Sequence, residues 1–164
     1  DPLCQAAEKA WKAGIVVVVA AGNEGRNNSA KTQGYSTITA PANDPLVITV
    51  GALNMKGTTS RSDDVVTSYS SKGPTLLDRV VKPDLVAPGN LVPATVATGG
   101  RMRNEYYSNN VNFSEYVVNG GNNPGGEYYT LSGTSMAAPV VSGTVALMLE
   151  RTAAPSASLT VPRA

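Results

Sequence analysis

Two stretches of the chain are apolar almost without interruption: Ile15 to Ala21, reading IVVVVAA, and Leu46 to Leu53, reading LVITVGAL. Strands that read as continuous β-branched runs are buried on both faces, as in a parallel sheet covered by helices. Ahead of the first run, Leu3, Ala6, Ala7, Ala10 and Trp11 recur at helical spacing. Asp1 suits the N-cap, Pro2 the first helical position and Gly14 the stop. After Ser135 the spacing is helical again, through Met136, Val140, Val141, Val145, Leu147 and Met148, with Pro139 expected in the first turn. Val65 to Ser71 and Val92 to Thr98 are shorter extended segments. Lys82 to Gly89, KPDLVAPG, carries two prolines and is expected to be a turn-rich connection. A long polar insertion, 99–129, holds five of the seven tyrosines and the only phenylalanine. The tail over 153–164 is rich in Pro, Ser and Ala and is expected to fray. Strands alternating with helices predict an α/β fold with a mostly parallel sheet.

Composition narrows the function classes. The chain has 164 residues, the size of one domain, and 41% are hydrophobic, enough for a sizeable core. Thirteen Lys+Arg against twelve Asp+Glu leave a net charge of +1, which offers no electrostatic footprint for nucleic acid or an anionic membrane. The longest aliphatic run is far short of the roughly 20 residues that a membrane-spanning helix needs. The single cysteine, Cys4, has no partner for an internal disulfide and reads as an ordinary small residue of the first helix.

Two short segments carry candidate chemistry. In LSGTSMAAP, Ser135 follows a Gly-Thr turn at the start of an apolar helix. A serine there is ordinarily a cap. The same position also presents a hydroxyl beside free N–H groups and the positive end of a helix dipole, where an oxyanion would be stabilised. In AAGNEG, Asn23 lies just past the carboxyl end of the first strand. Asn and Gly favour turns. That sheet edge is also where ligands bind in open α/β folds, and a neutral amide there could donate to developing negative charge.

Taken together and in order, VVVVAAGNEG, APANDPLVITVGA, YSSKGP, KPDLVAPG and GTSMAAP resemble the subtilisin-like serine proteases from Asp1 to about Arg151. The resemblance implies a three-layer, doubly wound, mostly parallel sheet of which only the carboxyl-terminal half, 1–152, is present. It implies that Ser135 is the nucleophile and that its backbone N–H and the Asn23 amide form the oxyanion hole. Ala20, Ala21 and Gly22 would line the primary specificity pocket, and Gly133 and Thr134 would flank the nucleophile on the substrate side, Thr134 in a structural role. Val140 stands where the family commonly has a histidine outside the triad.

The chain contains no histidine. A serine without a base is a weak nucleophile at neutral pH. The family order of Asp, then His, then Ser implies that the first two come from an amino-terminal half, in a separate chain or precursor segment, and that this chain alone is inactive. A lysine base drawn from Lys9, Lys12, Lys31, Lys56, Lys72 or Lys82 is the less favoured solution. The implied partners are that half and peptide or protein substrates, with no nucleic acid and no membrane. The implied location is secreted or extracytoplasmic. No cofactor is required. A structural calcium at Ala40–Val47 finds one carboxylate there, Asp44, where a hard cation wants six to eight oxygens. Asn27-Asn28-Ser29 and Asn112-Phe113-Ser114 fit the glycosylation pattern of secreted eukaryotic proteins. The insertion is either a solvated surface loop or a recognition element for substrate. The rival function, from another class, is a non-catalytic scaffold or protein-binding module that keeps the fold.

Overall fold

The structure, a computed structural model, describes residues 1–97 and 99–153. In chain order the elements are α1 (Pro2–Lys12), β1 (Val18–Ala20), β2 (Arg26–Asn27), β3 (Thr32–Gln33), β4 (Ile48–Asn54), β5 (Val65–Val66), β6 (Leu85–Pro88) and β7 (Val92–Thr95). They continue with α2 (Arg101–Glu105), β8 (Asn110–Asn112), β9 (Pro124–Leu131) and α3 (Thr134–Ala153). Apart from Ala153, which ends α3, the tail expected to fray lies outside the described residues.

The central sheet is built around β4. Val50 faces Ala20 of β1 on one edge and Leu85 of β6 on the other, both in parallel register. Further along, Leu53 faces Val66 of the antiparallel β5 on the β1 edge and Pro88 on the β6 edge. β1 and β6 therefore flank β4 on opposite sides. One face of this sheet packs against α3 through Val50, Ala87, Ala137 and Val141, with Val18, Ile48 and Val145 around them. The other face is closed by Ala21, Ile38 and Ala42 against Val19. The architecture is α/β, with the core on both faces of β4, whose Thr49 to Ala52 are buried.

Several sequence expectations are corrected. The Lys82–Gly89 segment is not only a connection: Leu85–Pro88 is the parallel strand β6. Its prolines sit at places a strand tolerates, Pro83 ahead of it and Pro88 as its last residue, on an edge that needs no further donor. The Ile15–Ala20 run is a strand only from Val18, and Ile15 and Val16 are 57% and 40% exposed rather than buried on both faces. Among the described residues β1 is hydrogen-bonded to a single neighbour strand, β4, which explains its partial burial. The segment expected to be extended over Val65–Ser71 is a strand for two residues only. Val92–Thr98 contributes β7, Val92–Thr95, and not to the parallel sheet. β7 joins β9 and β8 in a separate antiparallel sheet of order β7-β9-β8. The polar insertion is accordingly structured. Its alternation was masked by Gly, Asn and Tyr, and β9 is held by cross-strand pairing on both edges rather than by an apolar run. The expected predominance of parallel pairing holds for the central sheet alone.

The helix signals fare better. Asp1 caps α1, its carboxylate accepting the Leu3 N–H at 2.8 Å, and Gly14 takes φ 85° just beyond the end. Yet α1 buries none of its residues, and its apolar stripe leaves Leu3 and Trp11 exposed. α3 starts at Thr134, one residue earlier than expected, so Pro139 lies in the second turn and denies the Ser135 carbonyl its usual helical donor. No described helix is long and apolar enough to cross a membrane.

Candidate active site

The site gathers at the carboxyl ends of β1, β4 and β6, where α3 begins. Gly133 and Thr134 are buried and Ser135 is exposed, so the chain surfaces at the serine. Ser135 is not a cap: it sits in the first turn of a 20-residue helix, where backbone N–H groups lack intrahelical acceptors. Among the described residues no acceptor takes the Ser135 N–H, while the neighbouring Met136 N–H donates to the Gly133 carbonyl at 3.0 Å.

Asn23 is brought to this turn from 111 residues away. The Thr134 N–H donates to Asn23 Oδ1 at 3.0 Å, and the Thr134 hydroxyl donates to the same oxygen at 3.2 Å. A backbone N–H can only donate, so oxygen must face it and the amide NH₂ must face the other way. The Thr134 hydroxyl in turn accepts the Gly22 N–H at 3.1 Å. Thr134 is fully buried, and this one side chain clamps both Gly22 and Asn23 to the nucleophile turn. The expected structural role of Thr134 is thereby given its atoms.

The remaining motifs form the frame. The Ser71 N–H donates to the Gly22 carbonyl at 2.9 Å, the Glu24 N–H to Ser71 Oγ at 3.1 Å and the Gly25 N–H to the Tyr69 carbonyl at 2.8 Å. Gly22 has φ 101°, and a Cβ there would stand 2.9 Å from Ser71 Oγ, so glycine is needed on both counts. On the far side, the Gly89 carbonyl accepts the Gly133 N–H at 2.8 Å and the Tyr69 hydroxyl at 2.9 Å. Ser132 Oγ accepts the Leu91 N–H at 2.8 Å. These anchors, Tyr69, Ser71, Gly89 and Ser132, were missing from the sequence-derived site. Tyr69, Ser71 and Gly89 were signalled only by YSSKGP and KPDLVAPG occurring together and in order, and Ser132 only by its place in LSGTSMAAP.

KPD has its own role under the sheet. The buried Lys82 ammonium donates to the Val47 carbonyl at 2.8 Å and to Asp84 Oδ2 at 2.7 Å, and that oxygen also accepts the Thr49 N–H at 2.7 Å. Lys82 is thus committed to the sheet rather than to a base role. Lys72, which donates to the Gly25 carbonyl and to Gln33, is likewise engaged. Asp44 is buried and its carboxylate accepts the Leu46 N–H at 2.8 Å. This single carboxylate, already serving a turn, does not make an acidic cation cage. No group of three or more His, Cys, Asp or Glu comes together among the described residues.

Ala20, Ala21 and Gly22 follow one another at the end of β1, with Ala21 turned into the core beside Ile38 and Ala42. The site therefore unites Ser135, Asn23, Gly133, Thr134 and the Ala20–Gly22 segment around one helix start. It holds an exposed hydroxyl, a backbone N–H without an acceptor and a side-chain amide, and no imidazole.

The fold is an α/β sheet with a serine at the start of a core helix, and comparison with known proteins supplies the family. The Subtilase family description matches residues 1–161, and the chain belongs to that family. It is 42% identical over 152 residues to Serine protease AprX of Bacillus subtilis (strain 168), covering 92% of this chain and 29% of that protein. It is 35% identical to Subtilisin E of the same strain, over 88% of this chain and 26% of that protein. Among solved structures, the self-cleaved protease domain of PatA aligns with a TM-score of 0.54 at 25% identity, covering 92% of this chain and 39% of that one. The chain thus spans less than a third of the length of these two curated relatives.

Proposed function

We propose that this chain is the nucleophile-bearing part of a serine endopeptidase. Ser135 Oγ attacks the scissile carbonyl, the C–N bond breaks and an acyl-enzyme forms; water then attacks the ester, releasing the acid and restoring the hydroxyl. The Ser135 N–H and the Asn23 amide are the donors for the oxyanion of each tetrahedral intermediate, aided by the α3 dipole. Ala20 and Gly22, with the backbone of Ala21, whose side chain lies in the core, give the acyl side of the substrate a pocket wall of small residues, with Gly133 and Thr134 beside it. The proton of Ser135 goes to a histidine, oriented by an aspartate, that these 164 residues do not contain. Both come from further polypeptide of the same protease, and the chain by itself is inactive. No cofactor enters the reaction, and the location consistent with the family is outside the cytoplasm.

One observation carries this reading. The fixed polarity of Asn23, oxygen toward Thr134 and amide outward, is what an oxyanion donor requires and what a turn asparagine does not. The same proposal covers the finer architecture: residues 1–152 as half of a three-layer, doubly wound domain. The open edge of β1, the exposed Ile15 and Val16 and the uncovered stripe of α1 support it.

The test is covalent labelling by a fluorophosphonate of the complete, folded protein, with Ser135→Ala as control. Label confined to the Ser135 peptide, and absent in the variant, is expected. A folded protein that takes no label would leave the non-catalytic scaffold as the function.

A further inference from the structure

We propose that the insertion 99–129 supplies a specificity pocket on the leaving-group side of the scissile bond, taking one large aliphatic or aromatic side chain of the substrate. This rests on the reading of Ser135 as nucleophile. The antiparallel sheet β7-β9-β8 carries a cavity of about 480 Å³ lined by Leu91, Pro93, Val111, Tyr116, Tyr128 and Thr130. The Tyr116 and Tyr128 rings meet edge to face at 4.9 Å, so the aromatic wall is held by its own packing. The charged residue of the lining is Glu115, which disfavours an acidic occupant. A second hollow of about 360 Å³ adjoins it along Leu91, Val111 and Thr130 and is lined by Asn109, Asn110 and Asn112.

Topology assigns the side. Asn23 and Ala20–Gly22 follow β1, on one flank of β4. The insertion follows β7 and contains most of β9, and is reached from β6, on the opposite flank. The nucleophile turn is fastened to both flanks, to Asn23 through Thr134 and to Gly89 through Gly133. A substrate whose acyl part lies along the β1 flank therefore sends its leaving group toward the insertion.

Chain length assigns the reach. Thr130, on the cavity wall, precedes Ser135 by five residues, which span at most about 18 Å even when fully extended. An extended peptide rises roughly 3.3 Å per residue, so the pocket meets a side chain within about five positions of the scissile bond. The rim is tied to the nucleophile turn, because the Leu91 N–H donates to Ser132 Oγ. Leu91 itself is 69% exposed with φ 54°, a conformation that disfavours leucine.

The experiment uses the complete protease acylated by a common peptide ester. Pentapeptide amines that differ at one position compete with water for the acyl-enzyme: the amine forms the new amide bond, the serine ester breaks and the amine proton is released. Phe or Leu at one position is expected to exceed Ser in aminolysis by about tenfold, with Asp below Ser. Val111→Ser, and separately Tyr128→Ser, are expected to flatten that preference while ester hydrolysis, which has no peptide on that side, keeps its rate. A preference absent from the parent protein, or retained in both hydrolytically competent variants, overturns the proposal. A protein that takes no fluorophosphonate at Ser135 instead overturns the reading beneath it.

Discussion

Thr134 shows how much one small side chain can organise. Its hydroxyl is both acceptor, from Gly22, and donor, to Asn23, in a fully buried position. Thr134→Val keeps the volume and removes both bonds. It strands the Gly22 N–H and leaves the Asn23 oxygen held by the Thr134 N–H alone. A stability loss of about 1–3 kcal/mol is expected in urea unfolding of the complete protein. Activity is expected to fall through kcat, roughly tenfold or more, with KM little changed, because the oxyanion donor matters most in the transition state. Thr134→Ser, which restores the hydroxyl, should recover most of both. A KM effect with intact kcat would mean that the clamp serves ground-state binding instead.

At the scale of elements, the sheet depends on an ion pair with unequal surroundings. The Lys82 side chain is 2% exposed and that of Asp84 40%. Removing the aspartate leaves a cation in the interior and the Thr49 N–H unanswered. Removing the lysine leaves a carboxylate that water reaches. Asp84→Ala is therefore expected to destabilise by more than Lys82→Met, by about 3 kcal/mol against about 1–2. Denaturant midpoints of the two variants decide the order, and the reverse order would show that the Val47 carbonyl contact dominates. The insertion is stabilised in a different way, by strand pairing and aromatic contact. Tyr116 packs against Phe113 and Tyr128, and burial, then the Glu127 carboxylate and Tyr128, raise its phenol above the ordinary pKa.

At the scale of the molecule, surface is the dominant fact. The accessible area is 11116 Å². A compact monomer of this mass exposes about 7,700 Å², and the eleven residues after Ala153 could add no more than about 1,600 Å² even if fully extended. Much of the excess is apolar: Ile15 and Val16 beside the open edge of β1, Leu3 and Trp11 on α1, and Leu147, Met148 and Leu149 on α3. Unpaired strand edges and apolar faces of this extent associate. The isolated 164-residue chain is expected to elute and sediment as oligomers or aggregates, and to become a well-behaved species only when produced with the further polypeptide proposed to supply Asp and His. A stable monomer in analytical ultracentrifugation would contradict this.

The sequence by itself determined what local chemistry determines. Asp1, Pro2 and Gly14 marked out α1 because caps act within a turn. The β-branched runs announced β1 and β4 because strand propensity is local, though the burial expected with it holds for β4 and not for Ile15 and Val16. The ordered motifs placed Ser135 and Asn23 in one site, and the absence of histidine stated what that site lacks. Tertiary structure decided what depends on partners far along the chain. β6 was hidden behind its prolines because only pairing with β4 makes Leu85–Pro88 a strand. The insertion looked polar because its sheet is held by cross-strand bonds among Asn, Gly and Tyr positions rather than by a hydrophobic period. The direction of the Asn23 amide, the element on which the proposed chemistry turns, depends on an N–H donated by Thr134 from 111 residues away, and no local pattern encodes that.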